Sequence, residues 1–167
     1  RQLALSWSRY PSLAHKHADD LGLVLWDSDG DWLTASGYWP YWSPHRRDAL
    51  SWAASNAPHF VTEPPDVEIH TSLLGHFYSS EFGVIDAVRN TASGTSFRRQ
   101  VVRLADEGLL IIDAISRSPQ DRLSTVEIVW TGAPDHELEN LKDDFVFVRP
   151  QTGNSMAITV AADADAA

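Results

Sequence analysis

Cysteine is missing from this chain of 167 residues. Without thiols, neither a disulfide framework nor a thiolate metal site can form. Long apolar runs are also missing, since none approaches the roughly 18 residues of a membrane-spanning helix. The length suits one sizeable domain with a packed core. We expect that domain over residues 1–160 and a flexible acidic tail over residues 161–167.

Positive charge is scarce, with 13 Lys and Arg against 23 Asp and Glu and a net charge of -10. Nucleic-acid binding relies on basic contacts to phosphate, so the charge argues against that class of partner. An anionic ligand would need a local basic patch. The pair Arg46-Arg47 is the candidate, and a merely solvated loop is the equally open alternative.

Apolar, β-branched and aromatic segments follow one another along most of the chain, separated by Gly, Asn, Asp or Pro. Asp29-Gly30 between two such segments indicates a hairpin. Strands at this spacing with almost no helical periodicity predict an all-β protein, an antiparallel β-sandwich. The predicted strands are residues 21–26, 32–35, 67–74, 77–89, 97–104, 109–116, 123–130 and 145–148.

One long connection, from Tyr38 to His59, lacks the alternation of a strand. We expect a short helix near residues 48–54 within it. Long ordered loops often carry function. Because flat aromatic rings suit sugar binding, Trp39 and Trp42 in this connection are predicted to stack on sugar.

Histidines alternate with other residues in the stretch His15-Lys16-His17-Ala18-Asp19. If the stretch is extended, His15, His17 and Asp19 share one face, because side chains two apart point the same way. Two imidazoles and a carboxylate on one face can bind a metal or meet a substrate. The alternative is a histidine that caps a strand or hydrogen-bonds in the core.

Several short motifs follow this stretch in a fixed order. After the hairpin come Ser36-Gly37-Tyr38, Tyr41 and Ser55-Asn56-Ala57-Pro58-His59. Together they resemble the signature region of heparinase II/III-like proteins, in which a His-x-His-x-Asp segment precedes a hairpin, tyrosines and a Ser-Asn-x-x-His stretch. Phe97-Arg98-Arg99 and the segment 108–113 continue the likeness, which spans roughly residues 13–138.

The resemblance implies an α/α-toroid followed by a supersandwich-like β-sandwich, with the active site in the cleft between them. Such enzymes cleave uronate-containing polysaccharides by β-elimination. Donors neutralise the uronate carboxylate while a Tyr or His base removes the C5 proton and a Tyr or His protonates the leaving oxygen. This chain, which begins at Arg1 without the pattern of a signal peptide, is then expected to be an excised part of a secreted or periplasmic bacterial protein.

The same resemblance assigns roles to individual positions. His15 and Tyr41 match catalytic positions, and His17 and His59 match metal ligands. The residues expected to hold the anionic polysaccharide, by stacking or by charge-assisted hydrogen bonds, are Lys16, Trp39, Trp42, His45, Arg46 and Arg47. The N-terminal α/α-toroid domain of the same parent protein is expected to complete the site.

Two positions depart from the family pattern. Ala35 stands where the family supplies a metal-binding Asp, and Phe60 stands where Asn follows the closing histidine. Zinc would then need Asp19 or another carboxylate, because structural zinc sites generally have four ligands. A site held by hydrogen bonds alone is the alternative. The corresponding alternative for function is a non-catalytic carbohydrate-binding or structural β-sandwich.

Overall fold

The computed structural model describes residues 2–7, 17–37, 39–65, 70–104, 108–141, 144–148 and 150–161. Within these ranges the regular elements are mostly strands, and no helix is long and apolar enough to cross a membrane. The elements are β1 (Gln2–Leu5), β2 (Leu23–Asp27), β3 (Gly30–Leu33), α1 (Arg46–Ala49), β4 (His59–Phe60), β5 (His70–Tyr78), β6 (Phe82–Asn90), β7 (Ser96–Leu104), β8 (Gly108–Ser116), β9 (Val126–Glu127), β10 (Glu137–Leu141), β11 (Asp144–Val148) and β12 (Ser155–Thr159).

All strand pairs are antiparallel. The largest sheet has the order β5-β6-β7-β8, and a three-stranded sheet has the order β1-β2-β3. A second three-stranded sheet, β10-β11-β12, and a two-stranded sheet, β4-β9, complete the described fold. The predicted all-β, antiparallel β-sandwich is confirmed.

The core lies between the two main sheets. Period-2 alternation turns Ala87, Phe97 and Val101 of the four-stranded sheet inward. They form one buried cluster with apolar side chains of the β1-β2-β3 sheet and with single aromatic residues of β4 and β11. The other buried members are Leu5, Leu21, Leu23, Leu25, Trp32, Leu33, Phe60 and Phe147.

Arg99 of β7 also points into this interior and is fully buried. Its guanidinium donates to both carboxylate oxygens of Asp113, at 2.7 and 2.8 Å. The remaining terminal nitrogen donates to the carbonyls of Leu21 and Asn56, at 2.8 and 2.5 Å. The side chain therefore joins the four-stranded sheet to the entry of β2 and to the long connection after β3.

Arg89, on the neighbouring strand β6, is equally buried. It pairs with Glu63 and donates to the Pro58 carbonyl at 2.9 Å. Its guanidinium carbon lies 4.2 Å from the ring centre of Trp52 and 4.4 Å from that of Phe97. Residues 52–63 are thus attached to the sheet by a second buried cation.

Asn56 satisfies backbone groups on three sides. Its amide nitrogen donates to the carbonyls of Leu23 and Thr34, and its side-chain oxygen accepts from the Thr131 amide at 2.6 Å. Its φ of 58° is in the left-handed region, which Asn tolerates better than most residues. Asn56 therefore fixes the path of the chain where it returns to the core.

The predicted hairpin between β2 and β3 is confirmed. Asp27 accepts a hydrogen bond from the Asp29 amide at 2.9 Å, and Gly30 takes a φ of 120° that favours glycine. The predicted single strand over residues 77–89 is wrong, because β5 and β6 are separated by a turn. Ser79 closes that turn by donating its hydroxyl to the Phe82 carbonyl at 2.9 Å.

Other boundaries also differ from the sequence prediction. The predicted strand 123–130 is limited to β9, since a 3₁₀ turn at Pro119–Asp121 and a further turn precede it. The predicted helix near residues 48–54 is found as α1 followed by a 3₁₀ turn at Trp52–Ala54. Strands β1, β4, β10 and β12 were not predicted, and β10 carries two glutamates in its five residues.

Removing the partner of Arg99 tests the role of the buried cation. Asp113→Ala leaves a buried guanidinium without its carboxylate, and we expect the free energy of unfolding to fall by about 3–5 kcal/mol. Asp86→Ala is the matched control, because Asp86 pairs with Arg98 on the exposed side of the same strand. Urea denaturation of both variants should show a much smaller loss for Asp86→Ala; equal losses would contradict the assignment.

Asp121 holds the turn after β8 to the turn between β6 and β7. One of its carboxylate oxygens accepts hydrogen bonds from Ser93, from Thr95 at 2.5 Å and from Ser118 at 3.1 Å. These hydroxyl donors, Ser93 first, lower the pKa of Asp121 below its ordinary value against the opposing effect of burial. Folding therefore favours the ionised carboxylate.

A pH dependence of stability follows from this lowered pKa. The contribution of Asp121 should be fully present above about pH 4, the ordinary range of an Asp, and be lost as the pH falls through the lower folded-state pKa. We expect Asp121→Asn to lower Tm by roughly 3–5 °C at pH 7 and by progressively less below pH 4. A difference that stays constant between pH 7 and the acid limit would show that shape, not charge, is responsible. Asp135→Asn, at an exposed turn, is the control.

Candidate functional site

The aromatic loop, residues 39–45, presents the most exposed rings of the long connection. Trp39, Tyr41 and Trp42 are 39%, 64% and 85% exposed. Large apolar side chains exposed together on a loop suggest a binding surface. The loop leads directly into α1, which carries Arg46 and Arg47.

Arg46 organises this loop. Its Nη1 donates to the Trp39 carbonyl at 2.9 Å, and its guanidinium carbon lies 4.1 Å from the ring centre of Tyr41. Trp39 in turn donates its indole N–H to the Ser36 carbonyl and meets the His45 ring edge-on at 5.8 Å. The structure thus brings four predicted residues together: Trp39, Tyr41, His45 and Arg46. Arg47 and Trp42 are exposed beside them.

A shallow pocket of about 480 Å³ lies next to this loop. Trp39 and His45 form one side, and small residues of α1 and the following 3₁₀ turn form the floor. The sequence prediction included Trp39 and His45 but missed Asp48 and the serines of this pocket, although Asp48 directly follows the basic pair. The lining residues are Ser36, Trp39, His45, Asp48, Ala49, Ser51, Ala53 and Ala54.

His17 enters the described part of the chain close to the same region. The Ala18 amide donates to the Leu50 carbonyl at 3.1 Å, and Ala18 shares a buried cluster with Trp52 and Ala57. Residues 17–22 form a bend and a turn rather than a strand, so the expected extended alternation does not hold from His17 onwards. Asp19 accepts a hydrogen bond from Ser6 at 3.2 Å. His15 and Lys16 lie outside the described residues.

His59 is buried and hydrogen-bonded through both ring nitrogens. Nδ1 lies 2.9 Å from the Ala57 carbonyl, and Nε2 lies 3.0 Å from a carboxylate oxygen of Glu127. The ring also stacks near Trp52, with ring centres 6.3 Å apart. His59 therefore connects β4 to β9, and Glu127 is a partner that the sequence prediction missed because it lies 68 residues away.

These contacts bear on whether zinc fits. The described residues contain no group of three or more His, Asp or Glu placed to hold a metal ion. His59 would have to give up Ala57 or Glu127 to bind one, and Ala35 offers no oxygen ligand from its side chain. The arrangement of the described residues therefore does not fit a four-ligand zinc site. Because His15 and Lys16 lie outside them, zinc stays a prediction.

A larger cavity, of about 660 Å³, opens at the other end of the two main sheets. Trp7, Trp26 and Tyr78 line it with aliphatic residues and with three polar side chains, Gln2, His76 and Arg103. Its walls are mostly apolar, and it contains none of the predicted site residues. We therefore place the candidate site at the aromatic loop.

Comparison with known protein families gives a match to the N-terminal part of the chain. A family model described as heparinase II/III-like, C-terminal, matches residues 2–59. This stretch is similar to that family. The match covers about a third of the chain and includes the aromatic loop, His17 and His59, so the family resemblance is confirmed there. Neither a curated protein nor a solved structure matches the chain.

The contacts of His59 lead to a stability prediction. His59→Ala removes a buried ring with two hydrogen bonds, and we expect the free energy of unfolding to fall by about 3 kcal/mol. His45→Ala is the control, because that side chain is 67% exposed. Treatment of the unsubstituted chain with EDTA should leave Tm unchanged if hydrogen bonds hold His59. A drop in Tm on chelation would instead show that a metal holds it.

Proposed function

We propose that this chain is the β-sandwich part of a polysaccharide lyase that cleaves a uronate-containing polysaccharide by β-elimination. The observation that carries the proposal is the match of residues 2–59 to the heparinase II/III-like C-terminal family. An N-terminal α/α-toroid of the same parent protein would complete the active site. A secreted or periplasmic bacterial location is part of the same proposal.

The aromatic loop supports a sugar-binding role. Trp42 and Trp39 offer ring faces to the C–H face of a pyranose. Arg46 and Arg47 are consecutive residues in a chain of net charge -10, and their guanidinium groups suit carboxylate binding. In this proposal the basic pair, with Lys16 and His45, attracts the polysaccharide while the indoles position its rings.

The chemistry requires a base for the C5 proton and an acid for the leaving O4. Tyr41 is exposed, and Arg46 fixes its ring from one side. We assign Tyr41 to proton transfer and His15 to contact with the reacting sugar. Hydrogen-bond donors near the uronate carboxylate would stabilise the negative charge that develops as the proton leaves. The mechanism needs no step through a metal.

A second candidate function is a non-catalytic carbohydrate-binding or structural β-sandwich. The occupied nitrogens of His59 and the presence of Ala35 favour it, because both depart from a metal-assisted site. His15→Ala in the parent protein distinguishes the two. Lost turnover with retained binding supports the lyase, whereas lost binding alone supports the module.

The lyase proposal is tested on the parent protein that carries this chain. Incubation with heparan sulfate, alginate or hyaluronan should produce the ultraviolet absorbance of a C4–C5 double bond with at least one polymer. Tyr41→Phe should lower that rate by about 100-fold or more while binding persists. Tyr78→Phe is the matched control, since Tyr78 is exposed but lies far along the chain, on β5. Binding without any absorbance change across all polymers would overturn the lyase proposal.

A further inference from the structure

The four-stranded sheet has a second face, turned away from the core. Because Ala87, Phe97 and Val101 point inward, their neighbours along β6 and β7 point outward. We call this the outer face. Its large apolar side chains are well exposed: Phe77, Phe82, Leu104, Leu110 and Ile112 are 53%, 42%, 42%, 51% and 43% exposed.

These side chains form a contiguous patch. The strand register places Phe77 beside Val84, Val84 beside Val102, and Val102 beside Leu110. One apolar row therefore crosses all four strands, a width of roughly 15 Å at the spacing of a β-sheet. Phe82 pairs with Leu104 in the adjacent row, and the rings of Phe77 and Phe82 are 5.0 Å apart.

The outer face differs in charge from the chain as a whole. Among the described outward-facing residues of the four strands, the formal charges are Asp86 and Arg98, one of each sign. They pair with each other, with Nε of Arg98 2.9 Å from Asp86. The described face is thus neutral in a chain of net charge -10, so two copies that meet through it bring no excess of like charge into direct contact.

We propose that the outer face is a twofold interface between two copies of this chain. In a twofold interface the same patch serves both partners, so an apolar row meets an apolar row. Arg98 is 47% exposed and lies on the same face, four residues along β7 from Val102, where it can donate to Asp86 of the second copy. The Arg98–Asp86 ion pair within each copy is then replaced by an Arg98–Asp86 pair between the two copies. This inference is independent of the proposed lyase activity.

Sedimentation velocity of the 167-residue chain over a range of concentrations tests the interface. We expect a species of twice the chain mass that half dissociates at a concentration on the order of 10 µM, within the micromolar range of modest interfaces. Leu110→Lys should weaken association by at least about tenfold, because it places a charge in the apolar row. Leu123→Lys is the matched control: Leu123 is 98% exposed and lies in a turn.

Reversing the charge of Arg98 or of Asp86 tests whether the two copies are arranged about a twofold axis. Arg98→Glu and Asp86→Arg each place two like charges on the outer face, so each variant alone should be monomeric. An equimolar mixture of the two should associate again, because the charges of one variant complement those of the other. Circular dichroism checks that both variants keep the fold.

Three outcomes overturn the proposal. The first is a chain that stays monomeric up to about 100 µM, well above the expected range, which would leave the face to a different occupant. The second is association that Leu110→Lys and Leu123→Lys affect equally. The third is a variant mixture that does not associate.

Discussion

The buried guanidinium of Arg99 is the interaction on which the described fold depends most. It ties β7 to β8 through Asp113 and reaches across the core to the carbonyls of Leu21 and Asn56. An unpaired charge in such a position costs several kcal/mol, so these partners must be in place together. Arg89, on the neighbouring strand β6, is a second buried cation that pairs with Glu63 and donates to the Pro58 carbonyl. The interior therefore contains buried ion pairs and hydrogen bonds as well as an apolar core.

The buried contacts of Arg99 and Arg89 determine where the candidate site can lie. Both arginines hold the chain between Trp52 and Glu63, which is the return path of the long connection after β3. Because the end of the connection is held in this way, its earlier part, the aromatic loop, lies at the surface. There Arg46 contacts both Trp39 and Tyr41 and sets their positions. The sheet thus supplies a rigid base for the loop on which the proposed site lies, and binding residues are commonly found on such loops.

His59 shows how a family position can serve the fold. The resemblance marks it as a metal ligand, whereas the structure gives both ring nitrogens to Ala57 and Glu127 and packs the ring against Trp52. The same side chain closes the β4-β9 pair. A histidine with both nitrogens engaged contributes to stability through its hydrogen bonds whether or not a relative uses that position for a metal.

The sequence by itself determined the fold class, the β2-β3 hairpin and which residues belong to the aromatic loop. It could do so because period-2 alternation, an Asp-Gly turn and a cluster of aromatic residues are local signals. It also carried the family resemblance that the match over residues 2–59 confirms. The break between β5 and β6 escaped it, since Ser79 closes that turn without Gly or Pro. Only the tertiary structure decided the distant partners of Arg99, Arg89 and His59, because those contacts join residues 26 to 78 positions apart. These partners are Leu21 and Asn56 for Arg99, Glu63 and Pro58 for Arg89, and Glu127 for His59. Such pairings depend on how the sheets stack, which no local pattern encodes.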